Sequence, residues 1–504
     1  MDSIKLSRWQ DIIQGPVLQR LETTILPGYL TGMRWFGGKG RQISSVKIVS
    51  HICVPAEPLS SYFLLLKVDY RDMSNERYIL PVCFLRSGRN SESQMKPPVL
   101  CELQVDLERG WLSDAVWCAD FRMSLFRMFA RQAEFKDNNQ QINFTTSNSF
   151  AGFTKDIAQT SRLLHAEQSN TSIIYGNKLF LKLYRKVETG INPDIELSKF
   201  LSEDARFNNV PKWLGSIEWQ SSVGAIGVGI LQEMLSDVTV AWDYFQPMIR
   251  EAVDSSSIDG FRNKIAQLAT LTADMHRALA NHQEPEDINE THQMIERLKK
   301  DVSQTFDLLK RSSDKLPQGA KDEAYHLLEL KPELEHMLAD TDVVEIPSKR
   351  MRVHGDFHLG QVLVSGDNFK VTDFEGEPGR TYAERRMCQS VLKDVAGMVR
   401  SFQYATYSKL MDKEGNHASL QQLADVYHKM SDMYVDIFLN SMNDSGLIPQ
   451  SANDSKTLLR LFLVEKALYE LRYELNNRPD WTIIPIAGLV SIISEWMESG
   501  VHHA

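Results

Sequence analysis

The sequence lacks most of the features that mark secreted, membrane or nucleic-acid-binding proteins. Its five cysteines, Cys53, Cys83, Cys101, Cys118 and Cys388, are odd in number, scattered and without a CxxC pair. That excludes a disulfide framework and offers no zinc-ligand spacing, so they read as free thiols. No stretch reaches the run of about 18 apolar residues that a membrane helix requires. The opening MDSIKLSRWQDIIQ has no uninterrupted apolar segment of the signal-peptide kind. A cytoplasmic protein with no membrane partner is expected. Basic charge is also short: 56 Lys and Arg against 66 Asp and Glu leave a net charge of −10. No basic run carries interleaved aromatics, so nucleic acid is not an expected partner. Glycine-rich phosphate loops of the GxGxxG and GxxxxGK[ST] types are missing, and so is any internal repeat. What remains is ordinary globular composition, 42% hydrophobic and 24% charged over 504 residues. Such a chain is too long for one core and should form roughly two to four packed units.

Texture changes along the chain suggest where the units lie. Residues 43–86 carry β-branched and apolar runs, SSVKIVSHICV, YFLLLKVDY and RYILPVCFL, punctuated by turn residues, and predict an antiparallel sheet. An N-terminal β-rich domain over 1–98 follows from this. Residues 99–150 read as an intermediate helical and linker subdomain, because LSDAVWCADFRMSLFRMFARQ has helical spacing and KDNNQQINFTTSNS is polar. Residues 151–235 return to strand-like segments, with an amphipathic helix over 193–203. From 236 to 504 the chain is mostly helical, with a charged insertion near 284–345 that reads as a solvated helical pair. The exception is 361–374, where QVLV, the turn SGDN and FKVTDF predict a short hairpin.

Chemistry concentrates at the two ends of that hairpin, in His354-Gly-Asp-Phe-His-Leu-Gly-Gln361 and Asp373-Phe-Glu-Gly-Glu-Pro378. A hairpin brings its ends together, so Asp356 and Asp373, seventeen positions apart, should share one cleft. Phosphoryl transfer needs one group to orient the attacking hydroxyl and accept its proton, and oxygen ligands for Mg²⁺. Asp356 suits the first task, and Asp373 with Gln361 the second. Either tripeptide alone would more often be a capped turn. The ordered pair with an amide five residues on is far more specific. Upstream, Lys178-Leu-Phe-Leu-Lys182 alternates along a strand, and Glu196 follows fourteen residues after Lys182 on the predicted helix that starts at Pro193. A lysine held by a helix carboxylate can orient a cation toward the phosphates of ATP. Near the C-terminus, Lys466, Tyr469, Glu470 and Tyr473 fall at i, i+3, i+4 and i+7, so one helix face presents a cation, a carboxylate and two phenols. That stripe suits a sugar; it equally suits an amphipathic helix with half-buried tyrosines and an i,i+4 pair between Lys466 and Glu470.

HGDxHxxQ followed by DFE resembles the catalytic and metal-binding loops of the aminoglycoside phosphotransferase-like branch of the protein-kinase-like fold. That branch usually shows HxDxxxxN, and Gln361 here stands where the asparagine is expected. Within the branch the maltokinase family carries this glutamine. DFEGEP, Glu384-Arg-Arg386, KDVAGMVRSFQYA, LFLKLYRKVETGINPDIELSKFL and EKALYELRYELNNRPDW all resemble maltokinase segments, and RWFGGKxR at Arg34–Arg41 resembles their N-terminal cap. The resemblance implies an α+β, bilobal protein-kinase-like fold: a β-rich N-lobe, a mostly helical C-lobe and an extra β-rich N-terminal cap domain.

It further implies ATP-dependent phosphorylation of maltose at its anomeric hydroxyl, feeding trehalose-to-α-glucan metabolism, with Mg²⁺ as cofactor and trehalose synthase as a partner. Asp356 would be the base. Lys182, Glu196, Ser169, Thr171, Gln232 and Met234 would serve the nucleotide, the last two at the adenine hinge. Gln361 and Asp373 would hold the metal, and His358, Lys466, Tyr469, Glu470 and Tyr473 the acceptor. The glycines of the RWFGGKGR phrase would then serve turns while Trp35 and Phe36 anchor a core. Two alternatives stay open: a kinase for another acceptor, such as glucosamine, trehalose or an aminoglycoside, and a kinase-like scaffold for trehalose synthase. DFEGEP favours maltose, since a glucosamine kinase is expected to show DFDG there.

Overall fold

A computed structural model describes residues 3–56, 59–87, 98–155, 157, 159–164, 169–283, 286–288, 291–342, 346–411 and 419–500. The chain forms two compact units, one of residues 1–236 with 379–384, the other of 237–378 with 385–504. Among the described residues no helix is long and apolar enough to cross a membrane.

The first unit is built on two seven-stranded sheets. In one, the expected run of β-branched residues forms Ile43–Ala56, Leu59–Tyr70 and Asn75–Arg86, paired antiparallel in sequence order. Glu108–Asp114 continues the sheet beside Asn75–Arg86, then Val99–Val105, and Ser3–Leu6 joins the edge in parallel. The other sheet runs from Glu134–Asp137 through Gln140–Thr146, Trp213–Ser221, Gly224–Glu233, Leu179–Tyr184 and Asn170–Tyr175 to Ser161–Leu164. The helix Ala119–Ala130 packs against strands of both. Phe121, Leu125, Phe126 and Phe129 there join Phe63, Phe144, Leu181 and Trp219 in a common core. Burying apolar surface at about 25 cal/mol per Å² makes such a shared core the main force holding the sheets together.

The 99–150 segment departs from its reading as helix and linker. Four of its elements are strands, two in each sheet, and the polar KDNNQQINFTTSNS stretch holds a hairpin that turns at Asn138, φ +52°. Only Ile142 and Phe144 of its second strand are buried. Two apolar residues at period two are enough to seat an edge hairpin, and polar neighbours hide that signal.

RWFGGKGR behaves as a turn. Phe36 is buried, both Trp35 and Phe36 pack on Tyr78, and a Cβ at Gly38 would collide with Tyr70 and Phe36. The helix predicted over 193–203 is Pro193–Lys199, capped by Asn192 and continued as a π-turn over Phe200–Asp204.

The second unit is mostly helical. The insertion near 284–345 is not a solvated pair: its described part holds Thr291–Ser312, Gln318–Glu329 and Lys331–Asp342. Ile295, Leu298, Val302, Phe306 and Leu309 of the first are buried, and that helix packs on Ala452–Asn477. Its apolar stripe at helical spacing needs a partner, and the charges that suggested solvation lie on its other faces.

Candidate functional site

In the second unit the predicted hairpin forms from Val362–Ser365 and Asn368–Val371, with Val362 opposite Val371. Gly366 turns it at φ +57°. Beyond the paired strands, Thr372 N donates to Gln361 O at 2.9 Å, which sets Asp373 next to Gln361. The loops at the two ends are tied together. His354 Nε2 donates to Thr372 O at 3.0 Å, and the His354 ring packs on Phe357 and Phe374. A Cβ on Gly355 would come 3.4 Å from Gly376 Cα, and both glycines have positive φ. Asp373 itself adopts φ +66°, a left-handed conformation that a non-glycine residue keeps only where its surroundings enforce it.

Asp394 holds the 354–361 loop from beneath. It lies on the helix Leu392–Tyr407, is fully buried, and accepts from His354 N and Gly355 N at 2.9 Å each. His276 Nε2 of Arg262–Leu279 lies 2.9 Å from its Oδ2. Burial opposes the charge of Asp394, but the hydrogen bond and charge of His276 lead the opposing effects that hold its carboxyl below the usual range. Gly397 on the same helix lets the loop approach, since a Cβ there would come 2.5 Å from Phe357 O. No role for Asp394 follows from the sequence reading. Its signal was an aspartate inside a helical phrase that is apolar but for Lys393, VLKDVAGMV.

Asp356 faces the long helix Ala452–Asn477. Lys466 Nζ lies 3.2 Å from Asp356 Oδ1 and 3.6 Å from Glu377 Oε1. Burial pushes the Asp356 carboxyl up, yet Lys466 and His358 outweigh it and leave the group below the ordinary aspartate value. Burial also opposes the charge on Lys466, and Asp356, Glu377 and Glu470 together raise it above the usual lysine value. Burial dominates at His358 and lowers its imidazole below the usual value, against the pull of Asp356. Gly360 N donates to His358 Nδ1 at 3.0 Å, which places the ring proton on Nε2, 4.0 Å from Asp356 Oδ2.

The four-residue stripe divides. Tyr469 and Tyr473 remain 42% and 46% exposed, and Lys466 Nζ stands 5.5 Å over the Tyr469 ring. Glu470 is bound by the buried guanidinium of Arg400, at 2.8 Å from Nε and 2.7 Å from Nη2. The i,i+4 pair that spacing allows is thus replaced by two separate partnerships. Arg472, on the adjacent face, reaches Asp301 at 3.3 Å and Thr305 at 2.8 Å on the insertion helix.

In the first unit Lys182 sits on Leu179–Tyr184, opposite Ser172 on one side and Ile230 on the other. Its Nζ pairs with Asp194 Oδ2 at 3.2 Å, and both side chains are buried. Tyr184 and Ser198 also donate to Asp194, at 2.9 and 3.2 Å. Asp194 is therefore a partner of Lys182 that the expectation for Glu196 overlooked. It lies in the first turn after Pro193, where a carboxylate favours the helix start and projects back toward the sheet. Met234 N donates to Lys178 O at 2.9 Å, and Gln232 Nε2 lies 3.5 Å from Ser198 Oγ. Ser169 is exposed; Glu167 and Gln168 lie outside the described residues. The Thr171 hydroxyl is taken by Arg185 Nε at 2.7 Å.

Comparison with known proteins gives matches of three kinds, a family model, curated relatives and solved structures. Residues 29–117 match the model of the maltokinase N-terminal cap domain. A glucosamine kinase of Mycolicibacterium smegmatis (strain ATCC 700084 / mc(2)155) is 23% identical over 361 residues, covering 71% of this chain and 86% of the relative. One from Streptacidiphilus jiangxiensis is 25% identical over 242 residues, 47% of this chain and 53% of the relative. A solved glucosamine kinase in complex with glucosamine, ADP and inorganic phosphate matches with a TM-score of 0.63 at 16% identity, over 92% of this chain and 98% of that one. A second crystal form matches with a TM-score of 0.64 at 17% identity, over 92% and 97%. The chain has the α+β, kinase-like fold of these structures, with a stretch matching the maltokinase cap at its N-terminal end.

Proposed function

We propose, from the premise that a chain with this kinase-like fold and a maltokinase-type cap is a sugar kinase, that it transfers the γ-phosphoryl group of ATP to the anomeric hydroxyl of maltose. The observation that carries this reading is the pairing of Asp356 with Lys466. Asp356 would orient the sugar hydroxyl and take its proton as the new P–O bond forms and the bond to ADP breaks. A carboxylate held below its usual pKa is a weak base. It fits a loose phosphoryl-transfer transition state, in which positioning matters more than early deprotonation.

Lys182, braced by Asp194, would hold the donor phosphates. Gln361 and Asp373 offer an amide oxygen and a carboxylate at adjacent positions, the hard oxygen donors that Mg²⁺ takes. Bound there, the ion would neutralise charge on the nucleotide phosphates.

Lys466 also bears on the acceptor. Its ammonium pairs with both Asp356 and Glu377 and offsets one of their two negative charges, which weakens the pull of these carboxylates on a cationic amino sugar. A neutral disaccharide does not depend on that pull and can use the exposed Tyr469 and Tyr473 rings as packing surfaces. Glucosamine is the second reading, favoured by the named activity of the relatives. A panel of maltose, glucosamine, trehalose and an aminoglycoside with radiolabelled ATP separates the two. Acid-labile, alkali-stable label on maltose is the expected product, and exclusive labelling of glucosamine would overturn the maltose reading. Lys466→Met should raise KM for maltose about tenfold while lowering the relative KM for glucosamine, measured by initial rates with both acceptors.

A further inference from the structure

The cap sheet and the lysine-bearing strand share one buried charge network that no part of the proposed chemistry uses. Arg185 follows Lys182 by three residues, and its side chain is 2% exposed. Nη2 donates to Asp114 Oδ2 at 2.7 Å, Nε donates to Thr171 Oγ1 at 2.7 Å, and the guanidinium stands 4.8 Å over Trp35. Asp114 ends the cap strand Glu108–Asp114, is fully buried, and also accepts from Tyr29 OH at 3.3 Å and Val116 N at 3.3 Å. The backbone repeats the link: Ile79 N donates to Arg185 O at 2.8 Å, and Lys186–Val187 pairs with Tyr78 and Arg77 of the cap sheet. Thr171 in turn lies opposite Leu183, and Ser172 opposite Lys182.

We infer that Asp114, Arg185 and Thr171 are positioning residues through which the cap sheet fixes the strand pair carrying Lys182, so that nucleotide affinity depends on the cap. This rests on the proposed role of Lys182 toward ATP. The physical reason is the cost of a buried, unpaired cation. With Nη1 buried and without a hydrogen-bond partner, the guanidinium relies on Asp114 and Thr171, so it has one low-energy placement and pins both strands to it. Thr171 thereby acts through Arg185, not by offering its hydroxyl to phosphate.

Thr171→Val keeps the β-branched shape and removes one acceptor, and Tyr29→Phe removes one cap-side donor without touching the strand pair. For Thr171→Val we expect KM for ATP, and the Kd of Mg-ATP by titration calorimetry, to rise about tenfold, with KM for the sugar unchanged. Tyr29→Phe should shift the same two constants in the same direction by about threefold, and the double variant should shift them by less than the product of the two. Unchanged nucleotide constants in Tyr29→Phe, or in a folded Thr171→Val, would overturn the inference and leave the network as packing alone. Should Thr171→Val fail to fold, Tyr29→Phe carries the test. Wild-type protein that binds no nucleotide would instead defeat the proposed function, a separate result from variants that bind as tightly as wild type.

Discussion

Asp356→Asn is expected to lower kcat by about 10³-fold or more while leaving the Kd of Mg-ATP within a factor of two. Asparagine keeps the size of the side chain and can still meet Lys466 through its carbonyl oxygen. What it loses is the negative charge and the ability to take the hydroxyl proton. Lys466 keeps Glu377 as a partner at 3.6 Å, so the variant should fold. Rapid quench of a single turnover isolates the chemical step from product release. A variant that retains more than a tenth of wild-type kcat would remove Asp356 from the role of base.

Asp394→Ala should have the largest effect on stability, a loss of about 3–5 kcal/mol read from denaturant unfolding. The change strands His354 N, Gly355 N and His276 Nε2, which all meet this one carboxylate at 2.9 Å. Because the folded carboxyl lies below its usual value, its contribution is fully present above the unfolded aspartate pKa of about 3.9 and fades as pH falls through the lower, folded value. Wild type and variant should therefore differ by the full amount above about pH 4 and converge as pH falls below it toward the folded value. A constant difference across that range would show that the carboxylate charge is not what stabilises the loop. Activity should also fall in Asp394→Ala, because the backbone that aims Asp356 loses its anchor.

Much of the site's local order was legible because it is local. The hairpin between Gln361 and Asp373 follows from β-branched residues around a Gly-Asp turn, and that alone brings the 354–361 and 373–378 loops together. The start of the helix at Pro193 is equally local, since asparagine followed by proline is a strong helix-start signal. What the sequence left out concerned partners. Glu196 was the expected mate of Lys182, and Asp194 pairs with that lysine at 3.2 Å without having been foreseen, because which residues of a helix's first turn face a strand depends on how the two pack. Lys466 and Glu470 were open to pairing with each other, yet each found a buried, oppositely charged group elsewhere. The 284–345 charges suggested solvation because a helix shows its polar faces in composition and its buried stripe only in spacing.

The sequence by itself determined the antiparallel strands over 43–86, the hairpin that carries Asp356 and Asp373 on its two flanks, and the helix face that carries Lys466, Tyr469 and Tyr473. These depend on periodicity and turn chemistry, which act over a few residues. The tertiary structure alone decided that Lys466 pairs with Asp356, that Asp394 and His276 anchor the loop, and that Arg185 ties Thr171 to Asp114 of the cap. Each of these joins groups far apart in the chain. Burial gives such pairings their strength, because a charge out of water must find its opposite, and only the folded chain fixes which one is within reach.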